Sequence, residues 1–190
     1  MERYPARIGA SLGRHCPYGR SVQESIPGRP TSAAQTTLSR IMTTLDTNLL
    51  GTVHGGVIMK LVDDVAGAVA QRHSGGPAVT ASMDEMAFLE PVHVGDLVHA
   101  QGRVNWTGRT SMEVGVRVVA EPWNEVRVAK RVATAYLVFV GLDANGEPRA
   151  VPPVLPETDE DQRRFAEAEI RRTHRLARRA AILRSRGGPM

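Results

Sequence analysis

Four residues have the types that acid–base chemistry on a carbonyl needs: the adjacent carboxylates Asp63 and Asp64, the amide of Asn48 fifteen residues earlier, and the imidazole of His54 between them. A carboxylate or imidazole can take a proton from water or attack a carbonyl carbon, and an amide can orient the nucleophile or donate to a developing oxyanion. His54 is followed by Gly55-Gly56, where a substrate can come close to backbone N–H groups. Each residue also has a plainer reading. Asp64 stands four residues after Lys60, the spacing of a helix-surface ion pair, and Asp63 is turned about 100° away from it. Asn48 sits in a loop stretch, where asparagine commonly bonds its own backbone. His73, His93 and His99 show no ligand spacing and read as structural, no Cys/His/Asp cluster suggests a metal, and no G-x-S-x-G elbow supports a serine hydrolase.

The elements that must position these groups have to come from one domain. The chain has 190 residues, of which 42% are hydrophobic, enough for one core and too few for two comfortable ones. Cys16 is the single cysteine, so no intrachain disulfide forms, and a reducing, cytoplasmic setting fits. No apolar run approaches the ~18 residues of a membrane span, and residues 1–20 lack the apolar stretch of a secretory signal. The net charge of +4 is uneven: residues 34–156 carry 10 Lys and Arg against 12 Asp and Glu, whereas residues 157–190 carry 9 against 6. A basic end can attract phosphates, nucleic acid or anionic lipid. With almost no aromatics for base stacking, the tail reads instead as a helix with a charged face, and no nucleic-acid partner is expected.

Residues 1–34, rich in Gly, Pro, Ser and Arg, read as a flexible arm. A short strand is expected over 35–43, then a loop. Residues 57–73 form the best helix of the core: apolar side chains cover most of its circumference, and Lys60, Asp63, Asp64 and Gln71 gather on one strip. Ser74-Gly75-Gly76-Pro77 stops it. Strands are expected over 78–89, 96–107, 111–120 and 126–142. In the third of these Met112, Val114, Val116 and Val118 point one way and Glu113 and Arg117 the other. Residues 152–156 are an extended spacer, and 157–186 a terminal helix, acidic early and arginine-rich late, which complements its dipole. The domain thus spans 35–150, with spacer and basic helix over 151–190. A strand, a long apolar helix and about four antiparallel strands give an α+β fold in which a curved sheet of five or six strands wraps one central helix, with a C-terminal helix added. Such a sheet leaves an edge open, which pairing in a homodimer closes.

At this point a resemblance becomes specific. The run Asp46-Thr47-Asn48-Leu49-Leu50-Gly51-Thr52-Val53-His54-Gly55-Gly56-Val57, continuing without a gap through Leu61-Val62-Asp63-Asp64-Val65-Ala66-Gly67, resembles the signature of the hot-dog acyl-CoA thioesterases. It is similar above all to the cytosolic (brain-type) acyl-CoA hydrolases and their short bacterial relatives. Arg72-His73-Ser74, Ala81-Ser82-Met83-Asp84 and Ser111-Met112-Glu113-Val114 extend the likeness over about residues 36 to 145. The resemblance implies a hot-dog fold and hydrolysis of acyl-CoA to free CoA and a carboxylic acid, with no cofactor beyond the CoA of the substrate. It also implies a homodimer, with trimers of dimers common. In that family a helix carboxylate and a loop asparagine meet across the dimer interface, which places the catalytic roles on Asp63 and Asn48.

The backbone N–H groups at Gly56 and Val57, at the positive end of the helix, are expected to polarise the carbonyl, with Gly55 beside them. His54, where relatives often carry Phe, is expected to pack or position. For CoA phosphates the turn Gly108-Arg109-Thr110-Ser111 offers a cation, hydroxyls and amides, with an ordinary hairpin as its plainer reading. Arg72 and Arg131 are further candidates. The rival functions are a non-catalytic acyl-CoA-binding or sensing module, against which the intact Asp63 and Asn48 count, and a nucleic-acid binder, against which the acidic core counts.

Overall fold

The computed structural model describes residues 26–187. Its centre is α1 (Gly55–Ser74), whose buried residues Ile58, Leu61, Val62, Val65, Ala66, Val69 and Ala70 recur at helical spacing. His54 caps its start, accepting the Gly56 N–H on Nδ1 at 2.9 Å. Gly75 ends it in the left-handed region (φ 71°), a conformation that a side chain resists.

The strands are β1 (Arg29–Pro30), β2 (Thr36–Ile41), β3 (Ala78–Phe88), β4 (Asp96–Thr107), β5 (Ser111–Pro122), β6 (Lys130–Gly141) and β7 (Val154–Leu155). β2-β4-β5-β6-β3 is an antiparallel sheet of five strands that lies against α1. Gly102 on β4 lets the helix approach, since a Cβ there would stand 2.9 Å from the Val69 side chain. β3, which follows α1 directly, is an outer strand with two bulges and one unpaired side. The start of β6 differs from the strand expected over 126–142. β5 continues to Pro122, but its ladder with β6 ends at Ala120–Lys130 and that of β3 at Phe88–Ala133, and Val126 and Val128 are fully solvent-exposed.

Both ends of the domain are tied down more than composition indicates. Within the stretch read as an arm, β1 pairs in parallel with β7, Thr31 and Ala34 are buried, and Arg29 donates to the carbonyls of Arg72 and His73 at 2.7 and 2.9 Å. Within the expected spacer, Val151 and Val154 join the core. Residues 1–25 of the arm lie outside the described residues.

These ends close over His73, which is fully buried and donates from Nε2 to the Pro152 carbonyl at 3.0 Å. Burial pushes its pKa below the ordinary histidine value, against the Pro152 hydrogen bond, and the Arg29 charge pushes the same way. The unfolded chain therefore binds this proton more readily than the folded one. The stabilising contribution is complete above the unfolded value of about 6.5 and is lost as pH falls below it. Urea midpoints should drop between pH 7.5 and 5.5 with a slope from this group of at most ~1.4 kcal/mol per pH unit, and a His73→Gln variant should show a flatter profile. An unchanged profile in that variant would remove His73 as the cause.

α2 (Asp159–Ser185) crosses the outer face of the sheet. Ala168 is fully buried, Phe165 packs against the core, and the Thr158 side chain caps its start. No helix among the described residues is long and apolar enough to cross a membrane. Glu113, which alternation in β5 puts on the face opposite Met112 and Val114, is 2% exposed: Arg171 covers it at 2.7 Å and Asn105 donates to it at 3.2 Å. The Arg171 guanidinium also stacks 3.7 Å above the Tyr136 ring. Its own burial lowers the Arg171 pKa, but the hydrogen bond and charge of Glu113 outweigh this and leave it raised.

Candidate active site on the central helix

Asp63 lies in the third turn of α1, on the polar strip, exposed in the single chain and turned toward β3. Thr80, near the start of β3, donates from its hydroxyl to Asp63 Oδ1 at 2.8 Å. No other described residue hydrogen-bonds that carboxylate, so Oδ2 is open to a reactant. Asp64 is committed elsewhere: its Oδ2 accepts from Lys60 Nζ at 2.6 Å across one turn. Of the two acids, Asp63 is the one held at a free edge without a cation of its own. Thr80 was not among the residues singled out from the sequence. Seventeen positions and a strand register separate it from Asp63, so no local pattern points to it.

Asn48 is fixed within its own loop. Oδ1 accepts the N–H of Leu50 at 2.8 Å and of Thr52 at 3.3 Å, and Nδ2 donates to Thr52 Oγ1 at 2.9 Å. One Nδ2 hydrogen remains for a further acceptor. The loop is anchored at Asp46, which is 4% exposed. The Thr43 backbone N–H holds the Asp46 carboxyl below its usual range against the cost of burial, with the Thr43 hydroxyl and Arg40 adding to the effect. The Asp46 carbonyl accepts the His54 N–H at 2.7 Å, which ties the loop to the helix start. At its tip Leu49 and Leu50 are exposed to water on nearly all sides, as residues meant for a partner surface would be.

The helix start differs in detail from expectation. The Gly56 N–H is taken by His54 Nδ1 and is free for a substrate oxygen only when the exposed imidazole swings away, while the Val57 N–H is taken by the His54 backbone carbonyl at 2.9 Å. His54 is therefore the N-cap of the helix. His54→Ala should cost about 1 kcal/mol of stability, the usual loss of an N-cap, while hydrolytic turnover is retained. Loss of turnover in a folded variant would instead make it part of the chemistry. Beside Gly55, whose Cβ position lies 3.3 Å from Phe88 Cζ, an apolar cleft of about 370 Å³ opens between Val53, Ile58, Phe88, Leu89 and Val92.

The expected phosphate turn lies elsewhere. Ser111 and Val79 both pair with Val140, so Gly108–Ser111 sits at the Thr80 end of the sheet, two strands or about 10 Å away. Its Arg109 is exposed, while the carbonyls of Arg109 and Thr110 accept from Val151 and Gly141. Arg72, in the last turn of α1, shares that end. Arg131 stands at the opposite end, paired with Val119 just beyond Phe88.

Asp63 and Gly56 lie seven residues apart on one straight helix, about 10 Å along its axis. A carbonyl touching the Gly56 amide is out of reach of Asp63 from the same chain. A curved antiparallel sheet around one long helix, with a carboxylate midway along that helix at an unpaired edge, defines the hot-dog class of fold.

Comparison with known proteins agrees. Residues 50–126 match the family model "Thioesterase superfamily". The chain is 38% identical over 149 residues to the cytosolic acyl coenzyme A thioester hydrolase of Mus musculus, covering 78% of this chain but only 39% of that protein. The acyl-CoA hydrolase of Staphylococcus aureus, solved with butyryl coenzyme A and coenzyme A, superposes with a TM-score of 0.78 at 34% identity, covering 84% of this chain and 96% of that one. A structure described as an apo-hexameric acyl-CoA thioesterase gives the same TM-score at 35% identity, covering 82% and 99%. The chain belongs to the thioesterase superfamily, among its hot-dog acyl-CoA hydrolases.

Proposed function

We propose that this protein hydrolyses acyl-CoA thioesters to free CoA and a carboxylic acid, at a site that two copies share. The observation that carries this is the Asp63 carboxylate, anchored by Thr80 at 2.8 Å on the helix beside the free β3 edge. Variants of the Staphylococcus aureus hydrolase have been solved with alanine in place of an asparagine, an aspartate and a threonine. The intervals between those positions, fifteen and then seventeen residues, are those between Asn48, Asp63 and Thr80 here.

In this reading the acyl carbonyl lies at the α1 start of one copy, where the helix dipole and, once His54 turns aside, the Gly56 N–H stabilise negative charge on its oxygen. Asp63 of the other copy supplies the basic oxygen: it either draws a proton from the water that attacks the carbonyl carbon, or attacks that carbon itself to give an acyl anhydride that water then hydrolyses, freeing the acid and the carboxylate. Asn48 steadies that water or the oxyanion with its remaining N–H. The C–S bond breaks, and CoA leaves as a thiolate that takes up a proton. The acyl chain fits the cleft beside Phe88, and Arg109 with Arg72 suits the CoA phosphates.

Pairing of β3 with β3 of a second copy joins the two half-sites, covers Val79 and Phe88, and brings the exposed Leu49–Leu50 loop to a partner. Three such dimers would form a hexamer, the assembly in which a solved relative is described, and the cytoplasm is the expected compartment.

Release of thiol from acyl-CoAs of increasing chain length tests the activity. Subunit mixing tests the sharing. Asn48→Ala and Asp63→Asn homodimers should each be inactive, and each mixed dimer should regain one of its two sites. Failure to regain activity after proven subunit exchange would place both residues in the same protomer's site.

A further inference from the structure

α2 is longer than the sheet beneath it. It begins over β4, where Arg103 donates to Asp161 at 3.3 Å, and passes β5 and β6 at the Glu113–Arg171 pair and the Tyr136 ring. It reaches the edge strand β3 where Arg175 pairs with Asp84. Residues 176–185 follow, still helical, and extend about 15 Å further, the width of about three strands. The side of α2 that meets the sheet carries Ala168, Arg171 and Arg175. Continued at 3.6 residues per turn, that side carries Arg179, Ile182 and Leu183, with Leu176 at its margin. Leu176, Ile182 and Leu183 are 46, 43 and 46% exposed. The inward stripe thus stays partly apolar after the sheet has ended, and the place it overhangs is the unpaired side of β3.

We propose that residues 176–185 clasp a second copy of this chain across the β3 edge, lying on the outer face of that copy. The inference rests on the edge-to-edge pairing proposed above. Two-fold symmetry makes the clasp reciprocal: each helix end crosses the same seam in the opposite direction. Charge favours it as well. The outer side of β3 carries Asp84 and Glu85, only the first of which is ion-paired among the described residues, and the overhang carries Arg178, Arg179 and Arg184. A helix end of this length therefore meets an acidic strand on the second copy as it does on its own.

The test uses the full chain with Ile182→Glu and Leu183→Glu together. Both side chains are half-exposed in the single chain, so the folded state, checked by circular dichroism and urea unfolding, should be retained. The dimer dissociation constant from sedimentation should rise at least ~10-fold. Hydrogen-exchange protection of amides 176–185, present in the concentrated native protein, should be lost. If the native chain dimerises and the variant dissociates no more readily, the clasp is overturned and the pairing stands. If the native chain is monomeric at all concentrations, both fall. A benzophenone placed on Ile182→Cys, in a Cys16→Ser background, should crosslink to the outer strands or α2 of the second copy. Adducts confined to the same chain, or on another face of the second copy, overturn the proposal. So does a variant that keeps its dimer but loses binding to anionic vesicles or RNA.

Discussion

Asp63→Asn is expected to lower kcat for acyl-CoA hydrolysis by about 10²–10⁴-fold, the range a positioned base or nucleophile contributes, with folding and CoA binding retained. The substitution is nearly isosteric. An asparagine Oδ1 can still accept the Thr80 hydroxyl, so the geometry at 2.8 Å survives while the negative charge and the basic oxygen are lost. A stopped assay of thiol release, with CoA affinity measured alongside, separates this from a binding defect: kcat falls and KM holds. Thr80→Val removes only the anchor. Its effect should be smaller, about 10-fold, and should not exceed that of Asp63→Asn. Asp64→Asn is the control, because Asp64 spends its charge on Lys60 in water. That exposed pair is worth under ~1 kcal/mol, and the variant should hydrolyse normally. If Asp64→Asn is the inactive one, the two acids have been assigned the wrong way round.

Arg171→Ala should destabilise the fold by about 3–5 kcal/mol, the penalty for leaving one half of a buried ion pair without its partner. Glu113 is 2% exposed and Arg171, the guanidinium that covers it, stacks on Tyr136 as well. With Arg171 gone, the carboxylate keeps only the Asn105 amide, at 3.2 Å, and is left as an uncompensated buried charge unless it pulls water under α2. Glu113→Gln with Arg171 intact should cost less, since the amide oxygen still accepts. Glu113→Leu combined with Arg171→Met should recover most of the loss, because apolar side chains of similar volume remove both charges together. Chemical denaturation of the three variants gives the comparison. If Arg171→Ala costs under 1 kcal/mol, α2 is not clamped by this pair.

Much of the fold was legible in the chain because helical and strand periods are set by neighbours in sequence. The stripe of α1 and the alternation of β4 and β5 need nothing distant to be recognised. The Lys60–Asp64 ion pair was also within reach, since Lys60 stands one turn before Asp64. Glu113 marks where this reasoning fails. Alternation puts it on the outer face correctly, but the outer face is assumed wet, and what covers it begins 46 residues later in a helix whose composition suggests solvent. Val126 and Val128 fail in the opposite sense: they alternate as a strand does, but the ladder with β5 stops at Lys130 and leaves them in solvent.

The amino-acid sequence by itself determined the helix that carries Asp63, the strands around it and the block that places the chain among the hot-dog hydrolases, all of which depend on residues within a few turns of one another. Only the tertiary structure decided that Thr80 anchors Asp63, that the two ends of the domain close over His73, and that Arg171 covers Glu113. Those are facts of register and packing. They arise only when segments remote in sequence share space, and no local pattern encodes them.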